Sequence, residues 1–274
     1  MINLSKRLQT IADLVTPGSR ICDVGCDHAY LDIRLLQQKT IPSALAMDVA
    51  PGPLSIAEQN LMLTGLSERC ETRLSDGLAA YKKGEAGTLV IAGMGGRLMA
   101  SILSANPDKT ESFRELILSP QSEPWLVRGC LSLSGIGITD EKCVEEDGKF
   151  YCVIKAVPAA PCERPDWDAI LQRTDKMSDE ELSQAGVERS SIRRILSSEP
   201  FRAGVEAEYG PCLIKNADSG LKKQLFATLK SRISVYNNLC EKKDTGTAAA
   251  ARMQELRGEI GRMQALAFVL CYAV

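Results

Sequence analysis

The stretch Ile21-Cys22-Asp23-Val24-Gly25-Cys26-Asp27-His28-Ala29-Tyr30 decides the fold of this chain. A short apolar run with β-branched residues reaches Asp23 and Val24, a glycine interrupts it, and a helical pattern begins at Tyr30. Strand, turn and helix in this order are typical of the start of a nucleotide-binding α/β domain. The stretch also contains the single histidine of the 274 residues. We therefore expect the chemistry of this protein close to this turn.

The bulk composition is that of an ordinary globular protein, with 45% hydrophobic and 25% charged residues. A length of 274 residues is enough for one large domain and a smaller one. The net charge of −2 indicates no global attraction to nucleic acid, although a local basic stripe would be enough to bind RNA. The sequence has no apolar leader and no apolar run of about 18 residues. It therefore predicts a cytoplasmic location and no membrane contact.

The ten cysteines are scattered and form no Cys-x-x-Cys pair. With one histidine available, we predict no metal site. Most of the cysteines lie in apolar runs, which predicts small, reduced core residues.

Strand and helix patterns alternate after a first helix predicted at about residues 4–14. Strands are predicted at 20–24, 43–47, 70–74, 88–92 and 115–118, and helices at 30–38, 53–64, 96–103 and 123–132. Two extended runs, 137–145 and 149–157, then meet at Asp147-Gly148, a strong hairpin signal. Five β-α units and a final hairpin predict a mostly parallel sheet with an antiparallel edge. This α/β pattern resembles the class I, Rossmann-like methyltransferase fold more than a dehydrogenase.

The second half of the chain reads as helical. Prolines between 158 and 165 predict a linker, which divides the chain into domains 1–158 and 165–274. Ser178-Asp179-Glu180-Glu181 predicts a capping box. Apolar residues three or four apart from Leu221 to Cys240 and from Met253 to Leu270 predict two helices joined at Asp244-Thr245-Gly246, an antiparallel coiled-coil hairpin. Its basic residues are read either as solvated faces or as an RNA contact: Lys222, Lys223, Lys230, Arg232, Lys242, Lys243 and Arg252.

The first turn lacks the later glycines of a dinucleotide fingerprint, since Asp27 and Ala29 stand there. A pyrophosphate needs backbone N–H groups without a nearby anion, so the two acids argue against NAD and FAD. S-adenosyl-L-methionine has no phosphate and contains an ammonium and a sulfonium group, which acidic residues suit. We predict this cofactor, in contact with Asp23, Gly25, Cys26 and His28. A purely structural turn is the alternative.

Two further strand ends supply candidate cofactor contacts. Asp48, followed by Val49, closes the second strand, where a carboxylate can accept both ribose hydroxyls of an adenosine. Asp76-Gly77 follows the third strand and could meet the adenine. The alternatives are a helix cap at Asp48 and an ordinary turn at Asp76.

A glycine loop follows the fourth strand, with three glycines in the four positions 93–96. Glycines let a planar group approach the backbone closely. We predict that Ala92, Gly93 and Met94 contact the cofactor and that Gly95 and Gly96 contact the substrate; a structural bend is the alternative.

These motifs together resemble the bacterial tRNA (adenine-22-N1)-methyltransferase family. The similarity extends over most of the chain and includes Asp23–Tyr30 and Ile91-Ala92-Gly93-Met94-Gly95-Gly96. Shorter matches are Leu4-Ser5-Lys6-Arg7-Leu8-Gln9, Glu145-Glu146-Asp147-Gly148-Lys149-Phe150-Tyr151 and Tyr209-Gly210-Pro211. The chain departs from the family at Cys26, where serine is expected, and at Ser119-Pro120-Gln121-Ser122, which puts a substrate role of Gln121 in doubt.

The resemblance implies methyl transfer to N1 of an adenine in the D-arm region of tRNA, with the helical domain helping to hold the tRNA. Because methylation puts positive charge on the ring, a carboxylate beside it would help. We predict Asp27 as that catalytic residue, and His28 as an organiser of the turn. Lys6, Arg7 and Tyr30 are predicted substrate contacts, with solvent-facing charge as the alternative for the two cations. We expect a monomer; the alternative functions are methylation of another substrate and a non-catalytic cofactor-binding module for RNA or protein.

Overall fold

The computed structural model describes residues 2–241 and 247–274 of the chain. The chain divides into two compact units, of which the first ends at Glu163 and the second begins at Arg164. No helix within the described residues is long and apolar enough to cross a membrane.

The first unit is built on a seven-stranded sheet with the order β3-β2-β1-β4-β5-β7-β6. Strands β1 to β5 are parallel and β7 runs antiparallel to β5. The strands are β1 Ile21–Val24, β2 Ala44–Asp48, β3 Cys70–Leu74, β4 Thr88–Ala92, β5 Glu115–Ser119, β6 Ile136–Glu146 and β7 Lys149–Pro158. This mixed sheet confirms the predicted α/β architecture, a mostly parallel sheet with an antiparallel edge.

The central strands are apolar because the sheet is covered on both faces. All residues of β1 and β5 are buried. The helices of this unit are α1 Lys6–Leu14, α2 Tyr30–Gln37, α3 Pro51–Leu63, α4 Gly96–Ala105, α5 Pro107–Thr110 and α6 Pro124–Leu133. The first begins where the Ser5 side chain accepts the N–H of Leu8, and Pro51 occupies the first turn of α3.

The segment between β3 and β4 contains no helix, as in the predicted order of elements, so four and not five of the parallel strands are followed by a helix. Residues 75–87 contain turns and no helix. The buried side chain of Tyr81 holds this segment, because its hydroxyl donates to the carbonyl oxygen of Ala86 at 3.1 Å and its ring stacks on Phe113. Glycines at 77 and 84 adopt positive φ values of 52° and 84°, which suit turns and not a helix.

The predicted hairpin is confirmed. Strands β6 and β7 pair antiparallel from Ile136↔Pro158 to Glu146↔Lys149. Asp147 and Gly148 at the tip have φ values of 49° and 72°. Left-handed conformations at both central residues are those of a two-residue turn that matches the strand twist.

The cysteines are less buried than the sequence suggested. All ten have free thiols, and only Cys22, Cys26, Cys70 and Cys212 are buried. The expectation that most are core residues is wrong, because the others lie in helices and strands that face solvent in part or, for Cys162, in the irregular segment after β7. Among the described residues, no cluster of three or more His, Cys, Asp or Glu side chains could hold a metal ion.

The second unit is helical. Its helices are α7 Trp167–Lys176, α8 Asp179–Gln184, α9 Arg189–Leu196, α10 Glu199–Tyr209, α11 Pro211–Lys215, α12 Ser219–Cys240 and α13 Thr247–Phe268, followed by a π-helical turn at Val269–Ala273. The capping box at Ser178 and Glu181 is confirmed. Between α7 and α10, the indole N–H of the buried Trp167 donates to the Glu206 carboxylate at 2.6 Å.

The two long helices α12 and α13 contact each other. Arg232 on α12 pairs with Glu259 on α13 at 3.1 Å. Burial falls along α12, from Leu221 and Leu225, which are fully buried, to Ile233, which is 36% exposed. The predicted connection at Asp244-Thr245-Gly246, with Lys242 and Lys243, lies outside the described residues.

Candidate active site

A cavity of about 380 Å³ lies at the carboxyl edge of the sheet, within the range of about 300–1,000 Å³ of small-molecule sites. Eleven of the residues predicted from the sequence line it: Arg7, Asp23, Gly25, Cys26, Asp27, His28, Tyr30, Asp48, Ala92, Gly93 and Met94. Three other residues complete the lining: Leu8, Leu31 and Gln121. The loops after β1, β4 and β5 meet here because the carboxyl ends of parallel strands share one edge.

The turn after β1 has an unusual backbone. Gly25, Asp27 and Ala29 have φ values of 77°, 52° and 56°, and left-handed conformations are costly for residues other than glycine. Two hydrogen bonds anchor the turn to β2, since the N–H groups of Gly25 and Cys26 both donate to the carbonyl oxygen of Met47. The strained turn is thus held by the neighbouring strand.

Gly25 also provides space. A Cβ atom at this position would lie 2.3 Å from the terminal methyl carbon of Met94, which projects from the glycine loop. The two loops therefore approach each other at the cavity, and Gly25 is the residue that permits it.

Asp48 is fixed at the end of β2. One carboxylate oxygen accepts the N–H of Ala50 at 2.9 Å and the other accepts the N–H of Asp27 at 3.3 Å. This geometry joins the end of β2 to the first turn. It also excludes the simple alternative for Asp48, because Ala50 and not Asp48 is the N-cap of α3.

Asp27 is the most accessible acid of the cavity. Its side chain is 72% exposed, and one carboxylate oxygen lies 3.4 Å from Nε2 of His28. The His28 ring meets Tyr30 edge to face at 5.5 Å, and the side-chain amide of Asn60 donates to its carbonyl oxygen. His28 is thus positioned to orient Asp27, and both remain predicted site residues.

Asp23 differs from Asp27 in being almost fully buried, with 5% of its surface exposed. Burial, followed by the charge and hydrogen bond of Asp32 and the charge of Asp48, raises the pKa of Asp23 well above its usual range. Burial also raises the pKa of the Cys26 thiol, with Asp23 and Asp32 adding to the effect. Cys26 is therefore a neutral side chain and no nucleophile.

The glycine loop after β4 is shaped by close packing. A Cβ at Gly96 would lie 2.3 Å from the backbone oxygen of Glu123, and the N–H of Gly96 donates to the carbonyl oxygen of Ser122. Gly93 instead faces the side-chain amide of Gln121, 3.8 Å from its would-be Cβ. The loop after β5 therefore packs against the glycine loop after β4. It also places the side chain of Gln121 at the cavity.

Six predicted residues do not line this cavity. They are Lys6, Val49, Asp76, Gly77, Gly95 and Gly96. Gly77 packs against Ile102 with a φ of 52°, whereas Lys6, Val49 and Asp76 are exposed. Close packing explains why glycine occupies positions 77 and 96. The binding roles of all six residues stay predictions.

Arg7 enters the cavity through contacts with the hairpin. Its guanidinium lies over the ring of Tyr151 at 5.3 Å, and its backbone N–H donates to the Glu146 carboxylate at 3.1 Å. Its Nη1 atom is buried without a hydrogen-bond partner among the described residues. Tyr151 does not line the cavity itself, and its contact with Arg7 could not be predicted because its sequence pattern is that of a strand and only the hairpin brings it to α1.

The charge of the cavity restricts its ligand. Three carboxyl groups, Asp23, Asp27 and Asp48, face it, against Arg7 and the histidine as basic groups. Such a lining disfavours a pyrophosphate and suits a phosphate-free ligand with cationic groups. The residues present thus fit S-adenosylmethionine.

Comparison with known proteins agrees with this geometry. Residues 4–154 match the model of a family described as "Methyltransferase domain". The chain belongs to this methyltransferase family. The match covers β1 to β5 and most of the hairpin, which includes all residues that line the cavity.

Individual relatives of this chain within the family include tRNA methyltransferases. It is 39% identical over 155 residues to the tRNA (adenine(22)-N(1))-methyltransferase of Bacillus subtilis, and the aligned part covers 57% of this chain and 65% of that protein. The solved structure of the B. subtilis m1A22 tRNA methyltransferase is 29% identical with a TM-score of 0.70, covering 97% of this chain and all of that one. The resemblance to the tRNA (adenine-22-N1)-methyltransferase family is thereby confirmed.

A further solved structure shows a ligand bound to a protein similar to this chain. The putative tRNA (m1A22) methyltransferase of Streptococcus pneumoniae was solved in complex with S-adenosyl-L-methionine. It is 27% identical, with a TM-score of 0.71 and coverage of 97% of this chain and 100% of that chain.

Proposed function

We propose that this protein transfers a methyl group from S-adenosyl-L-methionine to N1 of adenine 22 in tRNA. The observation that carries the proposal is the acidic cavity at the carboxyl edge of a methyltransferase sheet. The printed activity of the B. subtilis relative supports the choice of substrate, and the cofactor bound to the S. pneumoniae relative supports the choice of cofactor.

The cofactor would be held by the turn after β1 and by the end of β2. Asp48, with its two backbone hydrogen bonds, is oriented to accept the ribose hydroxyls, and Asp23 offers a carboxyl to a cationic group. When bound, the cofactor would supply the methyl group. Gly25 and Met94 close the cavity around it and help to exclude water.

Asp27 would act on the adenine. N1 of adenine has a free lone pair, so no covalent intermediate with the protein is needed, and the main requirement is in-line positioning. The ring becomes positively charged on methylation, and an ionised carboxylate beside it stabilises this charge. The exposed position of Asp27 at the cavity, with His28 at 3.4 Å, supports this role.

The substrate base would enter beside Arg7 and Tyr30, after leaving its stack in the RNA. Both side chains line the cavity, and Arg7 has a buried N–H group to donate. Lys6 precedes Arg7 and is exposed on the same helix. We assign it a phosphate contact, and we assign Gly95 and Gly96 to the same substrate side.

The helical unit would bind the tRNA backbone. We propose that α12 and α13 form an antiparallel coiled coil, supported by their contact and by the Arg232–Glu259 ion pair. The exposed Lys230 and the partly buried Lys222 on α12 are suited to phosphate contacts, which predicts strongly salt-dependent binding. A tRNA substrate agrees with the expected cytoplasmic location, and we propose that the protein acts as a monomer without a metal.

The direct test is methylation of unmodified tRNA transcripts with labelled S-adenosylmethionine, followed by mapping of the modified nucleoside. We expect 1-methyladenosine at position 22 and none in a transcript with guanine there. Binding of the cofactor without labelling of any RNA would favour a non-catalytic cofactor-binding module. Label found only in another RNA would favour a methyltransferase with a different RNA substrate.

The role of Asp27 is tested by Asp27→Asn. We expect turnover to fall about 100-fold or more, as for loss of a group that stabilises transition-state charge, with cofactor affinity within about threefold. Asp108→Asn is the matched control, because Asp108 is an 83% exposed carboxylate outside the cavity. Normal turnover in Asp27→Asn would assign the charge stabilisation to another group.

A further inference from the structure

A buried carboxyl pair lies beneath the cavity. Asp32, the third residue of α2, is 0% exposed, and Asp23 on β1 is 5% exposed. The two carboxyls are hydrogen-bond partners when one of them is protonated. Only Asp23 reaches the cavity lining, so Asp32 lies behind it.

The burial of Asp32 is poorly compensated, because no cation of the described residues lies beside it and only Asp23 and its own backbone N–H act on its charge. Apart from the proton shared with Asp23 and its own backbone N–H, the carboxyl oxygens of Asp32 have no hydrogen-bond partner in the described part of the chain. Neither Asp23 nor Asp32 forms an ion pair with a lysine, arginine or histidine within residues 2–241 and 247–274. Two ionised carboxylates in such a place would be very costly, and one proton between them removes most of the cost.

The surroundings of the pair are acidic or neutral. Asp48 at the end of β2 acts on Asp23. The thiols near the pair are Cys22 on β1, Cys26 in the turn and Cys70 on β3, and burial raises the pKa of each, so they stay neutral. Burial raises the pKa of Asp32 to about 7, although the hydrogen bond with Asp23 acts in the opposite direction.

We propose that Asp32 is a positioning residue for the cofactor: it shares one proton with Asp23, and this proton leaves when a cationic group of the cofactor enters the cavity beside Asp23. The inference rests on the proposed function, since it takes the cofactor to be S-adenosylmethionine. Above about pH 7, where Asp32 has lost its own proton, the pair in the free protein has one negative charge. On binding, the O–H bond of the pair breaks, its proton passes to the buffer, and the second carboxylate charge is balanced by the ligand cation.

The proposal explains why an acid occupies this place. A helix that packs on a sheet normally presents apolar residues, and here Leu31 and Ile33 flank a buried Asp32. The cost of burying Asp32 is offset only when a cation arrives, which couples cofactor affinity to pH. Affinity should rise with pH until the pair is fully ionised in the free protein.

The test is isothermal titration calorimetry of S-adenosylmethionine near pH 7.5, in buffers that differ in ionisation enthalpy. The dependence of the observed heat on the buffer counts the protons released. We expect about one proton for the wild type and close to none for Asp32→Asn. Asp108→Asn, with its exposed carboxylate outside the cavity, should release the same number as the wild type.

Each outcome has one meaning. Binding without proton release by the wild type overturns the proposal and leaves the proposed function intact, and so does equal release by a folded Asp32→Asn. Failure of the wild type to bind the cofactor at all refutes the proposed function, and the inference with it. S-adenosylhomocysteine, which keeps the ammonium and lacks the sulfonium, identifies the cation: equal proton release assigns the ammonium, and lost release assigns the sulfonium.

Discussion

Two buried acidic sites lie at opposite edges of the same sheet and have opposite surroundings. Where the strands begin, the Glu115 carboxylate accepts the N–H and hydroxyl of Thr16 and the hydroxyl of Thr88, and pairs with Lys155 at 2.8 Å. At the carboxyl edge, the carboxyl of Asp32 meets the Asp23 carboxyl and no cation within the described residues. Burial disfavours the charge at both places, but only Glu115 is compensated.

The pKa values respond in opposite directions. Burial would raise the pKa of Glu115, yet the hydrogen bonds from Lys155, Thr16 and Thr88 outweigh it and lower the pKa. Burial raises the pKa of Asp32, and Asp23 does not offset it. A fold tolerates a compensated buried charge and loses stability when one partner is removed, whereas an uncompensated buried charge costs stability and is a candidate functional group.

The largest effect is expected at the compensated site. Glu115→Gln should lower the free energy of unfolding by about 3 kcal/mol, because Lys155 loses its buried partner. Urea unfolding at pH 7 measures it. Glu71→Gln is the control, since Glu71 is 47% exposed and its pairs with arginine should be worth less than about 1 kcal/mol. Equal losses would remove the contrast between buried and exposed acids.

The next largest effect on the free energy of unfolding is expected from overpacking at the carboxyl edge of the sheet. Gly96→Ala would place a Cβ 2.3 Å from the backbone oxygen of Glu123, and we expect a loss of about 2 kcal/mol from overpacking. Gly129→Ala, within α6 and with nothing within 4 Å of its Cβ, should be neutral or stabilising. If Gly96→Ala has the stability of the wild type in the same unfolding assay, the loop after β5 can move to accommodate the added Cβ.

The pH dependence of stability separates the two sites by sign. Asp32 has a raised folded pKa, so its contribution is present below the ordinary carboxyl range, near pH 4, and is lost as the pH rises towards about 7. One proton gives a slope of at most about 1.4 kcal/mol per pH unit. Glu115 has a lowered folded pKa, so its contribution to stability is present at neutral pH and is lost on acidification. Unfolding of Asp32→Asn between pH 5 and pH 7 should show a flatter profile than the wild type, and an identical profile would contradict the shared proton.

The smallest effect concerns the attachment of α1 to the hairpin. The guanidinium of Arg7 over the Tyr151 ring should be worth about 0.5 kcal/mol. A double-mutant cycle with Arg7→Met and Tyr151→Leu measures the coupling energy directly. A coupling near zero would mean that Arg7 is available to a ligand without loss to the fold.

Predictability from the sequence followed the range of the interactions. Strands and helices with clear periodicity were placed to within a few residues, as at Cys70–Leu74 and Thr88–Ala92. The hairpin was predictable because Asp147-Gly148 determines its own turn. The absence of a helix at 75–87 agrees with the predicted elements, but the anchor of this segment, the burial of Tyr81 against Phe113, is a tertiary contact that the sequence does not show.

The candidate site shows the same division. Asp23, Asp27 and Asp48 were predictable because each stands at or near the end of a strand. Tyr151 and Asp32 were not, since one lies in a strand pattern and the other in a helical one. The number of buried cysteines was overestimated, because an apolar run in the sequence does not show which face of the element is covered by other parts of the chain.

The sequence by itself determined the alternation of strands and helices, the antiparallel end of the sheet and the acidic first turn, because these depend on residues close to one another in the chain. Only the tertiary structure decided which acids are compensated. Glu115 meets Lys155 and Thr16 across the sheet, and Asp32 meets Asp23 and no cation among the described residues. The reason is physical: the cost of a buried charge depends on the groups that folding places around it, and these come from distant parts of the chain.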